Sequence, residues 1–133
     1  MPINYSIDRE RRLVIATPHG LLTDEEVFGY QREVWSRPEV RGFDELIDMT
    51  GVSEVQFVSA VRVSELAKLS SSMDPPASPS KLAIVATADC HYGLGRMYQT
   101  HREMAGQGTK VVRVFRDRQE ALDWLNVSLK PVR

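Results

Sequence analysis

Five consecutive apolar residues, Leu82-Ala83-Ile84-Val85-Ala86, constrain this chain more than any other segment. They are too few to cross a bilayer, which takes roughly 20. A strand with one face in water alternates apolar and polar side chains, whereas an unbroken run suits a strand covered on both faces. Such a strand belongs in the interior of a parallel sheet with helices packed on it. The segments on either side of it read accordingly.

Ile3 to Ile7 alternates, and Arg12 to Pro18 carries Leu13, Val14 and Ile15. The charged stretch Asp8 to Arg11 between them suits a hairpin turn, so this pair is expected to be antiparallel. Thr23 and Glu26 have capping-box spacing, with Leu22 and Val27 placed as a hydrophobic staple. Val27, Phe28, Gln31, Val34 and Trp35 then form a helical stripe that Pro38 closes. Glu45 to Met49 reads as a short strand. Val58 to Met73 reads as a helix with Val61, Leu66, Leu69 and Met73 inward. Ser70 to Ser80, with three prolines and five serines, reads as a surface loop. After the apolar strand, Asp89 is expected to cap a helix over residues 90 to 105 with Leu94, Met97, Tyr98, His101 and Met104 on its inner face. Gly106 and Gly108 should stop it. Val111 to Phe115 is the last strand. Asp117 and Glu120 repeat the cap spacing ahead of Ala121, Leu122, Leu125 and Leu129. The order ββαβαβαβα over residues 1–133 gives a single α/β domain with a mixed five-stranded sheet: an N-terminal antiparallel hairpin, then alternating strands and helices.

Charge excludes some partners. With 17 basic and 18 acidic side chains the net charge is -1, without the basic excess that nucleic acid or an anionic membrane surface requires. The one cysteine, Cys90, cannot form a disulfide within the chain, which fits a reducing, cytoplasmic setting. No charged leader with an apolar core opens the sequence, and no cofactor motif is present.

Three pieces carry a family resemblance: Gly20-Leu21-Leu22-Thr23 before the first helix, Asp48-Met49-Thr50-Gly51-Val52 after the third strand, and Tyr92-Gly93-Leu94-Gly95-Arg96-Met97-Tyr98 on the third helix. With the element order, they make the chain resemble the STAS domain over nearly its whole length, and within it the SpoIIAA-like, STAS/SEC14 branch of small bacterial proteins. The resemblance implies a regulatory, non-enzymatic protein. In the anti-sigma-factor antagonists of that superfamily, an Asp-Ser-Ser-Gly turn opens a helix and its serine is phosphorylated by a partner kinase. Laid on this chain, that turn falls near Gln56, Phe57, Val58 and Ser59, and an apolar residue stands where the switch serine would be. Ser59 is displaced from it, reads as a helix N-cap, and is not expected to be a phosphosite.

The best candidate site is the turn into the third helix, Thr87 to Tyr92, because open α/β sheets bind ligands outside the C-terminal ends of parallel strands. A helix N-terminus there suits an anion. Asp48 and Thr50, at the end of the neighbouring strand, are expected to line the same crevice. The candidate ligand-binding set is Asp48, Thr50, Thr87, Asp89, His91, Tyr92 and Arg96. Arg96 reads either as a clamp for an anion or as a surface ion pair. Cys90 beside His91 suggests a nucleophile and base, but adjacent helical residues point about 100° apart. Cys90, His91 and His101 match no standard zinc spacing.

Two readings follow. The first is a non-enzymatic module that binds itself, as a homodimer, or another protein. The alternative is a carrier or sensor of a small apolar or anionic ligand, which needs a pocket between the second and third helices lined by Leu66, Leu69, Met97 and Tyr98. A hydrolase or transferase using Cys90, His91 or Asp89 ranks behind both.

Overall fold

A computed structural model describes residues 3–57, 59–77, 79–106 and 108–126. The strands are β1 (Tyr5–Asp8), β2 (Leu13–Ala16), β3 (His19–Thr23), β4 (Asp44–Asp48), β5 (Gly51–Gln56), β6 (Lys81–Val85) and β7 (Val111–Phe115). The helices are α1 (Asp24–Trp35), α2 (Ala60–Met73), α3 (Asp89–Ala105) and α4 (Arg118–Leu125). The main sheet has five strands in the order β1-β2-β4-β6-β7. β1 and β2 pair antiparallel and the other neighbours pair parallel, as the sequence predicts. The apolar run lies in β6, between β4 and β7, and Leu82 to Ala86 are all buried.

Side-chain alternation divides the core. Leu13, Leu46, Ala83 and Val85 face Ala121, Leu122 and Leu125 of α4 on one side of the sheet. On the other side, Val14, Ile47, Leu82, Ile84 and Val112 meet α1, α3 and the connections to them. A second, two-stranded parallel ribbon of β3 and β5 closes one edge of this layer. The ribbon is additional to the five predicted strands. It contains Gly20-Leu21-Leu22-Thr23 and the Gly51-Val52 end of Asp48-Met49-Thr50-Gly51-Val52, two of the three pieces that carry the family resemblance. Helix α2 packs mainly on α3 and lightly on α1, and no strand makes comparable contact with it. It therefore stands off from the sheet.

The capping box of α1 forms: Thr23 Oγ1 accepts from the Glu26 N–H at 3.2 Å, and Glu26 Oε1 accepts from the Thr23 N–H at 3.1 Å. Asp117 caps α4 through the Glu120 N–H at 3.1 Å. Leu129, expected on the inner face of α4, lies outside the described residues. Asp89 does not cap α3. Ala88 holds the N-cap position, and Asp89 sits in the first turn with its carboxylate on Arg116.

Two helix faces differ from expectation. On α3, Met97 and Met104 are exposed, and the buried residues are His91, Gly95 and Arg102. Gly95 sets this phase: a Cβ there would lie 3.2 Å from both methyls of Val114, so the bare backbone seats on the sheet. Arg102 is buried because Asp74 takes it bidentately, at 3.0 and 3.2 Å, with Ser71 Oγ at 2.8 Å. On α2, Val61 is exposed, Leu69 and Met73 are half-buried, and Val63, Leu66 and Ala67 point inward. The helix continues through Ser70 and Ser71, both buried, so the expected loop begins only at Asp74. Asp74 also accepts from the N–H groups of Thr109 and Lys110, each at 3.0 Å. Gly106 ends α3 with φ +72°. Gly108 instead covers the ion pair, where a Cβ would meet Arg102, Asp74 and Ser71 at 3.0 Å.

Candidate functional site

Because α2 stands away from the strands, side chains alone must fill the space beneath it, and they do not fill it. A chamber of about 90 Å³ remains between the sheet and helices α1, α2 and α3. Its floor is Ala16, Ile47, Leu82 and Ile84, and its roof is Val63 and Leu66 of α2. Leu94, Gly95 and Tyr98 of α3 and Val27 and Tyr30 of α1 form the walls. Gly95 contributes space here as well as contact.

The inner end of the chamber is polar and satisfied. Glu45, 3% exposed, accepts from the Tyr30 hydroxyl at 2.6 Å, from Trp35 Nε1 at 3.2 Å and from Lys110 Nζ at 3.2 Å. Lys110 Nζ also lies 3.4 Å from the centre of the Trp35 ring, a close cation–π contact. Burial, reinforced by the Glu45 carboxylate, holds the Tyr30 hydroxyl protonated well above the ordinary tyrosine range. Burial likewise raises Tyr98, on the facing helix.

At the other end, Val55, Phe57, Val63 and Leu94 line both the chamber and an outer groove of about 440 Å³. Ser59 and Ala60, at the start of α2, and Cys90 and His91, at the start of α3, also line the groove. His91 is 7% exposed, Cys90 is exposed, and Met97 lies on the groove's outer side. Of the four residues expected to line a pocket between α2 and α3, Leu66 and Tyr98 line the chamber. Met97 lies in the groove, and Leu69 lines neither.

The sequence-predicted set does not converge on one point. Asp48 turns to Thr50, whose N–H and hydroxyl donate at 3.0 and 2.7 Å, and to Arg118 at the start of α4. Burial acts to raise the Asp48 pKa, but the Thr50 donors and the Arg118 guanidinium outweigh it and hold the carboxyl below its ordinary value. The Thr87 carbonyl and the Asp89 carboxylate both take Arg116, whose guanidinium lies 4.2 Å from the centre of the Tyr92 ring. Arg96 is exposed. Only His91 of the set enters the groove lining. Ser59 stands at the N-cap of α2 but makes no side-chain bond to the helix. Asp89, Cys90 and His91 share no hydrogen bond among the described residues, and no group of three metal-ligating side chains converges there.

Tyr30, Glu45 and Lys110 were not anticipated as a group. β4 reads Asp44-Glu45-Leu46-Ile47-Asp48, so it carries three carboxylates, and the sequence does not single out Glu45 as the one that needs a buried partner. Among the described residues no helix is long and apolar enough to cross a membrane.

No family model matches the chain, and no curated protein matches it. Among solved structures, it is similar to an uncharacterized protein of the DUF3478 family with a SpoIIAA-like fold, from Shewanella loihica PV-4. The two share 19% identity over 93% of each chain, with a TM-score of 0.57. At that identity the likeness speaks for architecture, and the chain has the SpoIIAA-like fold.

Proposed function

We propose that this protein is a non-enzymatic binding module that holds a small, largely apolar ligand between α2 and the sheet. One observation carries the reading: an apolar chamber under a helix that does not rest on the strands, sharing four lining side chains with an open groove beside it. Together the two spaces have the size of an ordinary ligand site, which runs to roughly 300–1,000 Å³. The lining is mostly hydrophobic, with few polar groups, as such sites are. The reading needs no reactive group, and none of the side chains around the chamber is paired as nucleophile and base. It assigns the protein to the cytoplasm, where the exposed Cys90 thiol stays reduced.

Native mass spectrometry of freshly purified protein tests this, together with amide NMR during titration with hexanol. A retained small molecule, or hexanol-induced shifts confined to residues such as Val63, Leu66, Ile84 and Leu94, is the expected result. Absence of both refutes the reading.

A second reading rests on Val61, 65% exposed, and Met97 and Met104, 40% and 73% exposed, on the outer sides of α2 and α3. In it, these side chains seat a second copy or another protein. Light scattering on the eluted protein tests self-association, and a strict monomer counts against a homodimer.

A further inference from the structure

The groove adjoins the chamber across the side chains of Val55, Phe57, Val63 and Leu94, and its polar groups differ from those of the chamber's inner end. Glu45, Tyr30, Trp35 and Lys110 satisfy one another. His91 does not have that arrangement. It is 93% buried by its 7% exposure, it lines the groove, and its ring has no hydrogen-bond partner among the described residues. The only sealed side-chain nitrogen or oxygen without a partner among those residues is Arg102 Nε. The His91 ring nitrogens are therefore not sealed inside the protein, and the residue that carries them lines the groove.

The two helices that begin there are uncapped. Neither Ser59 nor Ala88 bonds the first turn with its side chain, whereas Thr23 and Asp117 do so for α1 and α4. The Arg62 N–H goes to the Ser59 carbonyl and the Tyr92 N–H to the Ala88 carbonyl. Among the described residues the earlier N–H groups of both helices have no acceptor, Ser59 and Ala60 of α2 line the same groove as Cys90 and His91 of α3, and both helix dipoles present their positive ends there. The acidic residue nearby in α3, Asp89, is 92% exposed and turned to Arg116. Glu54 lies on the groove rim, one residue out of phase with Val55 and Phe57, and takes the Gln56 amide at 3.5 Å. Its charge opposes a dianion more than a monoanion.

We infer that the groove takes the carboxylate head of a small amphipath, held by the His91 ring N–H and the first-turn N–H groups of α2 and α3, while its short apolar tail fills the chamber. This rests on the chamber being a ligand site and names the chemistry of the ligand. A chamber of about 90 Å³ is smaller than the roughly 150 Å³ apolar cavity that admits benzene, so the buried tail is short.

Calorimetric or NMR titration of the intact protein with hexanoate, hexanol and acetate tests it, with His91→Leu and His91→Gln as variants. Hexanoate should bind about tenfold or more tightly than either hexanol or acetate. His91→Leu should bring hexanoate down to the affinity of hexanol and leave hexanol within about twofold, which also shows that the variant is folded. His91→Gln keeps a donor and should restore most of the preference. Equal affinity for hexanoate and hexanol, or equal loss of both in His91→Leu, overturns the carboxylate assignment and leaves the apolar site standing. Acetate binding as tightly as hexanoate overturns the role of the tail. Failure of all three to bind overturns this inference, and together with no molecule retained in native mass spectrometry it overturns the reading beneath it as well.

Discussion

Replacing Glu45 with leucine while Lys110 remains should lower the free energy of unfolding by about 3–5 kcal/mol, the cost of stranding one partner of a buried ion pair. The structure places the change at the severe end. The Lys110 and Glu45 side chains are 6% and 4% exposed, so water cannot replace the lost carboxylate without opening the core. The Tyr30 hydroxyl and Trp35 Nε1 also lose their acceptor. The Trp35 ring, 3.4 Å from Lys110 Nζ, offsets part of the loss. Against the roughly 5–15 kcal/mol that holds a domain together, the variant stays folded but marginal. Lys110→Met alone should cost less, because Tyr30 and Trp35 still donate to the carboxylate. The double variant should be far less damaged than the two changes added together, since an apolar pair of similar volume is often neutral. Urea unfolding followed by tryptophan fluorescence measures all three. Additivity within about 0.5 kcal/mol would refute the reasoning, because it would mean that the two charges do not depend on each other.

Gly95→Leu should destabilise by about 1–3 kcal/mol or more, as the added side chain meets Val114 and Ile84, and should also abolish hexanol uptake; thermal unfolding and NMR titration check the two effects. Asp48 has a folded pKa below its unfolded value, so its contribution to stability is present above that unfolded value and is lost as pH falls through the folded one. Asp48→Asn should therefore flatten the loss of stability on acidification below about pH 4, read from urea midpoints across that range. Thr23→Ala removes the N-cap acceptor of α1 and should cost about 1 kcal/mol, with calorimetry as the measurement.

The sheet was legible because its signals are local. The unbroken run at Leu82 to Ala86, the Thr23–Glu26 spacing and the Asp117–Glu120 spacing each act within a few residues. The β3–β5 ribbon was not legible, because Gly20 and Val52 pair across a helix and a strand and neither segment alternates cleanly. The phase of α3 was misread for a related reason. Hydrophobicity favours burying Met97 and Met104, but the buried side is chosen by a glycine that fits under Val114 and an arginine that meets Asp74. Neither residue is hydrophobic, and neither partner is near in sequence. Of the residues expected to form the site, only His91 lines the groove. Asp48 and Thr50 were assigned to the same crevice because the ends of β4 and β6 are neighbours, yet Arg118, from a helix on the opposite face, claims Asp48. The chamber itself left no sequence mark, since an unfilled volume belongs to no residue.

The stand-off of α2 separates two jobs that most small domains combine. Strand residues such as Leu46 and Ala83 hold the architecture by packing against α4 and have no part in the chamber lining. Val63 and Leu66 shape the roof from a helix that the sheet does not need for its own pairing. Substitutions there change the volume and shape of the chamber while leaving the strand pairing of the main sheet untouched. The same division makes this domain a tractable starting point for engineering a new small-molecule receptor.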